Sequence, residues 1–405
     1  MNNSPLKKNG VAGRLLAAVC RIVGECDRNG VTLDDAVETL PDDCRRMAEH
    51  LLFTFFRQRK VVEGVLRKFI SRPPAPEVMT LLTVTAVQCR FQSGIAPESA
   101  VNVAVDAARK LHADKFVNAV MRNFLRTELP VAPAAAEVLP SAILRRWRKR
   151  FDSATLDRMA KLFVSEAEFS YRILPGFDAV PGSVELPAYG GFRFASAPAE
   201  AVLNSPELKA GGYYIQDPAT SFAVSLAAAD APRAKRVLDL CAAPGGKTLM
   251  LGESCAPEAR IVAADISSRR QERTRENFML RKRDYEVITA SPENLYGKYD
   301  IILADMPCSN TGVFRKRPDA LWRFNERTLK DICEVQRTIA AGALKLLAPG
   351  GIIIFSTCSI EPDENQALID SLCEQHPELI CEESQLLLPD TTHDGAFAAR
   401  VRLQR

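Results

Sequence analysis

The chain has 405 residues, 47% of them apolar and 25% charged, with a formal net charge of +3. That length suits two or three domains with cores of their own, and the composition excludes a disordered or fibrous protein. The charge is too small to imply a polyanion partner by itself, and no apolar run reaches the roughly 18 residues of a membrane span. The opening residues Met1 to Lys8 lack the apolar centre of a signal peptide, so a cytoplasmic location without a membrane partner is expected. Eleven cysteines without a CxxC pair and four isolated histidines argue against a disulfide framework and against a metal site.

In chain order, residues 1–128 read as an all-helical domain. Leu15, Leu16, Val19, Ile22 and Val23 recur at helical spacing, as do Met47, Leu51, Leu52, Phe55 and Phe56. Leu81 to Val87 is apolar enough for a central buried helix, and Pro73, Pro74 and Pro76 must break the chain before it. Residues 129–139, with Pro130, Pro133 and a run of alanines, read as a linker. Residues 140–215 read as a small α/β connector, opening on a helix that carries the cluster Arg145 to Arg150 around Trp147.

Residues 216–405 read as the last domain, in which strands and helices alternate from Arg236 onward, the pattern of a doubly wound, Rossmann-like α/β sheet. Strands are predicted at Val237 to Leu240, Ile261 to Asp265, Glu286 to Thr289, Tyr299 to Ala304 and Gly351 to Phe355. A long helical pattern from Arg327 to Leu347 is the crossover between the last two. Ligands of such sheets sit outside the carboxyl ends of the strands. The last two strands would therefore deliver Asp305, Cys308 and Cys358 to one crevice.

The turn Cys241-Ala242-Ala243-Pro244-Gly245-Gly246-Lys247 follows the first strand and lets backbone approach a ligand closely. Asp265, ending the second strand, stands where an acid meets a ribose diol. A structural turn beside a chance aspartate is the bland alternative. Gly246-Lys247-Thr248 lacks the leading glycine of a Walker loop, and no full GxGxxG is present. An adenosyl ligand without a pyrophosphate remains, with S-adenosylmethionine as the best candidate.

Asp239 to Thr248, Asp305-Met306-Pro307-Cys308-Ser309 and Ser356-Thr357-Cys358-Ser359-Ile360-Glu361-Pro362-Asp363-Glu364-Asn365 together resemble the RNA (cytosine-5)-methyltransferases of the RsmB/Sun type. Ile95 to Ala100 and Phe116 to Phe124 are similar to the NusB-like RNA-binding domain that bacterial members carry. The resemblance implies a class I methyltransferase fold, adenosylmethionine contacts from Cys241 to Lys247 and a ribose contact from Asp265. It also implies a substrate-side contact from Asp305. It casts Cys358 as the nucleophile and Cys308 as the cysteine that helps release product. One position departs: Ser291 stands where the family has an adenine-contacting aspartate, so Ser291 or Glu293 takes that contact, or it is absent.

The chemistry wants these residue types. Carbon 5 of cytosine becomes nucleophilic once a thiolate has added to carbon 6. The Cys358 thiolate is expected to be favoured by nearby positive charge, and Asp305 to be protonated through burial so that it can donate to ring nitrogen 3. Trp322 or Phe314, beside Arg315-Lys316-Arg317, are candidates for stacking on an extruded base. Each thiol taken alone is more often a buried small residue, and a basic cluster is often a solvated helix face. The expected substrate is RNA, small-subunit 16S ribosomal RNA in particular, the cofactor S-adenosylmethionine, the metal none and the protein a monomer. A tRNA cytosine-5 methyltransferase would share these residues. A non-catalytic RNA-binding assembly factor would have no use for two thiols beside an acid.

Overall fold

A computed structural model describes residues 5–404, with side chains from Gly10 onward; the first four residues of the N-terminal reading lie outside that range. The described chain divides into two compact units, residues 1–166 with 314–325, and residues 167–313 with 326–405. The division after Glu166 falls inside the stretch read as one connector.

The first unit is helical. Helices span Pro5–Asn29, Leu33–Val37, Arg45–Leu66, Pro76–Phe91, Pro97–Arg109 and Asp114–Leu125, followed by shorter ones at Ala135–Val138, Ser141–Trp147 and Ser153–Phe163. Pro76 and Pro97 each sit in the first turn of their helix, where the missing N–H costs nothing. Leu81 to Val87 is buried all round, so Pro76–Phe91 is the central helix against which the others pack. The expected linker is not bare coil. It holds the turn Ala135–Val138 with Val138 and Leu139 buried.

Phe314 and Trp322 belong to this unit's core, which overturns their reading as base-stacking side chains. Phe314 is 1% exposed, with its ring 5.9 Å from that of Trp147. The Trp322 indole N–H donates to the Phe56 carbonyl at 2.8 Å, and the Arg59 guanidinium lies 4.6 Å from its ring centre. Trp147 itself is fully buried, so the basic cluster is strung around a core anchor.

The second unit holds two sheets. The smaller is antiparallel, in the order β2 (Val184–Leu186), β3 (Arg193–Ser196), β1 (Ser170–Ile173), β4 (Tyr213–Ile215). The larger has seven strands: β5 (Arg236–Leu240), β6 (Arg260–Asp265), β7 (Glu286–Thr289), β8 (Tyr299–Asp305), β9 (Leu347–Thr357), β10 (Leu379–Leu387) and β11 (Ala396–Leu403). Their spatial order is β10-β11-β9-β8-β5-β6-β7, with β5 to β9 mutually parallel and β11 antiparallel to both β9 and β10.

Parallel strands covered on both faces read as continuous apolar runs, and Ile352 to Phe355 of β9 are all buried. The chain steps outward from β5 through β6 to β7, then returns to the other side of β5 with β8 and β9. The order thus reverses between β5 and β8, and at such a switch point the loops beyond the carboxyl ends part to leave a crevice. Among the described residues no helix is long and apolar enough to cross a membrane.

Candidate active site

The turn after β5 enters the crevice. Cys241 takes φ +60, unusual for a residue with a side chain, and Gly245 takes φ +93 at the start of the helix Gly246–Ser254. A Cβ on Gly245 would also stand 2.7 Å from the Phe278 ring, so glycine is required twice over. The turn's carbonyls are taken by neighbours. Arg270 donates to the Ala243 oxygen at 2.7 Å, while Asn277 and Tyr214 donate to the Pro244 oxygen at 3.0 and 3.2 Å.

Asp265 ends β6 at the same edge, accepting from Ser267 N at 3.0 Å and Ala243 N at 3.3 Å, with Arg270 3.4 Å away. Ser291, opening the 3-10 turn Pro292–Asn294 after β7, accepts from Asn294 at 3.0 Å. Its hydrogen bond holds the exposed Glu293 carboxyl below the usual range.

Beneath the turn, Asp239 is 1% exposed. One carboxyl oxygen accepts from Thr248 Oγ1 at 2.6 Å, and the other finds no partner among the described residues. Burial pushes this carboxyl up to about 7, which favours its neutral form.

The register of β8 against β9 sets Asp305 beside Ser356, whose hydroxyl donates to Asp305 Oδ1 at 2.6 Å. Lys247 Nζ donates to Asp305 Oδ2 at 2.7 Å. Burial pulls the Lys247 ammonium down, but Asp305 above all, then Cys358 and Asp239, outweigh it and the net direction is upward. Asp305 is one-third exposed and bonded to a cation and a hydroxyl. The burial expected of it is therefore only partial.

Beyond the two strand ends, Cys308 Sγ and Cys358 Sγ stand 3.2 Å apart. Asn310, with φ +60, donates to the Cys308 carbonyl at 3.2 Å, and its side-chain oxygen lies 3.1 Å from Cys358 Sγ. The Cys308 thiol is pushed well above its ordinary range, first by its hydrogen bond to Cys358, then by burial, then by the charge of Cys358 and Glu364. Either sulfur can be the donor in that contact, and Cys358 Sγ also donates to the Asn310 side-chain oxygen.

The structure thus brings together Lys247, Asp305, Cys308 and Cys358, with the turn Cys241 to Lys247 and Asp265 on the same edge of the sheet. Sequence reasoning missed Asn310, Ser356 and Glu364. Ser356 was visible as the residue paired with Asp305 once both strands were aligned by their ends. Asn310 carried only the weak signal of a left-handed-tolerant residue after a proline turn.

The crevice thus lies at the switch point of a Rossmann-like sheet, with two thiols beside an acid, and a helical domain precedes it in the chain. Residues 226–400 match the model of the family described as 16S rRNA methyltransferase RsmB/F, and residues 13–126 match that of the NusB family. The chain is 27% identical to ribosomal RNA small subunit methyltransferase B of Yersinia pseudotuberculosis, over 95% of this chain and 96% of that protein. The crystal structure of PH0851 shares the fold at 18% identity and a TM-score of 0.73, covering 98% of this chain and 99% of that one. That of NSun6 from Pyrococcus horikoshii with SFG has a TM-score of 0.57 at 16% identity, over 66% of this chain and 98% of that one.

Proposed function

We propose that this protein transfers a methyl group from S-adenosylmethionine to carbon 5 of a cytosine in RNA, with 16S ribosomal RNA as substrate, through a covalent bond between Cys358 and carbon 6. The observation that carries this reading is the 3.2 Å approach of Cys308 and Cys358 beside the Lys247–Asp305 pair.

The residues fit the cofactor. The Asp265 carboxylate, almost fully buried beside Arg270, keeps acceptor capacity beyond the bonds from Ser267 and Ala243 for a ribose diol that reaches it. The next residue, Ile266, is 73% exposed, so a carboxylate and an apolar face stand side by side for ribose and base. The Cys241 to Lys247 turn supplies close backbone, and Ser291 or Glu293 the edge nearest β7. When bound, S-adenosylmethionine supplies an electrophilic methyl group.

Cys358 adds its sulfur to carbon 6, and the electron pair of the C5–C6 double bond becomes available at carbon 5, which takes the methyl group. Asp305 holds the pyrimidine edge at ring nitrogen 3, and Lys247, bonded to its Oδ2, fixes the orientation of its carboxyl group. After transfer, hydrogen 5 passes as a proton to solvent, the C5–H electron pair re-forms the C5–C6 double bond, and the C6–S bond breaks with its pair on the Cys358 sulfur, beside which the Cys308 thiol is placed to assist release. A base must leave its stack for this attack from above its plane, and the helical domain of residues 1–128 with its arginines provides salt-sensitive phosphate contacts.

Methyl incorporation into ribosomal RNA, located by bisulfite sequencing, tests the assignment. Cys358→Ala is expected to abolish incorporation, and Cys308→Ala to accumulate a protein–RNA adduct that survives denaturing detergent. The reverse pattern would exchange the roles of the thiols, and incorporation outside cytosine would overturn the reading.

A further inference from the structure

The chemistry so far uses Cys308 and Cys358, but neither sits on regular structure. Each lies in a loop beyond a strand end, and a sulfur–sulfur separation of 3.2 Å needs something to hold the loops together. Glu364, in the 3-10 turn Pro362–Glu364, is fully buried, and its carboxylate reaches the residue after each cysteine. It accepts from Ser309 N at 2.6 Å, from the Ser309 hydroxyl, and from the Ser359 hydroxyl at 2.5 Å. Thr311 Oγ1 lies 3.0 Å from Ser359 Oγ and accepts from Ile360 N at 2.9 Å, while Gly312 N donates to the Cys358 carbonyl at 2.9 Å. On the far side, Asn365 donates to the Ser359 carbonyl at 2.8 Å and accepts from Thr357 Oγ1 at 2.6 Å. Glu364 is the one group in this network bonded to both cysteine loops through a single carboxylate.

Burial pushes the Glu364 carboxyl above its ordinary range while the hydrogen bonds from Ser309 and Ser359 pull it back, and any charge it carries lies next to one thiol of the pair. An anion there makes a second negative charge on the adjacent Cys308 costly and leaves the thiolate to Cys358. Lys247 acts on the same division from the other side, since its ammonium is attracted by Cys358.

We propose that Glu364 is a positioning residue that clamps the two cysteine loops together and, by its charge beside Cys308, makes the two thiols unequal in reactivity. The inference rests on the assignment of Cys358 as nucleophile. Glu364 touches neither base nor cofactor in this scheme; it acts through Ser309 and Ser359. It deepens the proposed reaction by explaining why two neighbouring thiols do not exchange roles. Glu364→Gln keeps the shape but removes the charge, and it turns one acceptor into a donor facing two hydroxyls. Glu364→Asp keeps the charge with a shorter reach.

The test is differential alkylation of the full-length protein by iodoacetamide, with the rates at Cys308 and Cys358 read separately by mass spectrometry. In the natural protein Cys358 is expected to react at least about tenfold faster than Cys308, the equivalent of one pKa unit. Glu364→Gln should bring the ratio towards one, and Glu364→Asp should restore most of it. Should Glu364→Gln fail to bind S-adenosylmethionine by calorimetry, and so to fold, Ser309→Ala/Ser359→Ala carries the test. That variant keeps the carboxylate, cuts both side-chain arms, and should lower the ratio about threefold or more. A ratio unchanged in the folded variant, including one in which both thiols speed up equally, would overturn the proposal. The readout needs no methyl transfer: if the natural protein left cytosine untouched, the proposed reaction would fall while the alkylation ratio still decided the role of Glu364.

Discussion

Two turns at the same edge of one sheet are held in opposite ways. The cofactor-side turn after β5 is gripped from outside, with Arg270, Asn277 and Tyr214 bonding the carbonyls of Ala243 and Pro244. The cysteine loops after β8 and β9 are gripped from within, by Ser309, Thr311, Ser359, Glu364 and Asn365 bonding one another. The Arg270 grip acts on a different carbonyl from the one that Asn277 and Tyr214 share, so it should fail independently of them. An internal network shares its members, so its losses should not add. A binding site can be tuned by the first kind of support, whereas reacting atoms need the second.

The largest effect that would sharpen this contrast is expected at the joint between the two regions, Lys247, which leaves the turn to bond Asp305. Lys247→Met strands a half-buried carboxylate, and kcat should fall about a hundredfold or more, roughly 3 kcal/mol on the barrier. An unchanged kcat would show that the pair has no part in the chemistry.

Next, Asp265→Asn should raise KM for S-adenosylmethionine about tenfold while that for RNA and kcat stay near their original values, the loss of one charge-assisted contact. An unaltered KM would move the ribose contact elsewhere. Arg270→Ala should cost less, about two- to fivefold in the same constant, because Asn277 and Tyr214 remain to hold the turn. Combined with Asn277→Ala its effect should add, and strong non-additivity would break the comparison.

The smallest effect is on stability. With the Asp239 carboxyl raised to about 7 by burial, its neutral form favours the fold most below its ordinary pKa, and that contribution is lost as pH rises through about 7. Asp239→Asn, which keeps an acceptor for Thr248, should therefore unfold at a higher temperature than the natural protein above pH 7. The two melting temperatures should converge as pH falls towards 4. A difference independent of pH would mean that Asp239 stays charged inside the fold.

The parallel strands and their helices were legible because burial on both faces writes itself as unbroken apolar runs, as in Ile352 to Phe355. The pair β10 and β11 was not: β10 has long exposed stretches such as Glu382 to Gln385, and its partner mixes Arg400 and Arg402 with alanines. Both arginines turn out to bond Glu382 and Asp230, pairs formed only by tertiary approach. Asp305, Cys308 and Cys358 could be assigned to one crevice from strand order alone. The ion pair of Asp305 could not, since its partner is Lys247, 58 residues earlier in the chain. Phe314 and Trp322 looked like surface aromatics because they sit among Arg315, Lys316 and Arg317. Those charges solvate the rim of a segment whose rings are in the helical core.

Gly312 is the point where three stretches of backbone meet. A methyl group there would stand 2.6 Å from the Cys358 carbonyl oxygen and 2.7 Å from that of Gly395, while the Gly395 N–H donates to the Gly312 carbonyl at 2.9 Å. Neither obstacle is a side chain that can swing aside. A library randomised at this codon should return glycine alone among variants that retain methyl transfer, and even alanine should push Cys358 off its mark.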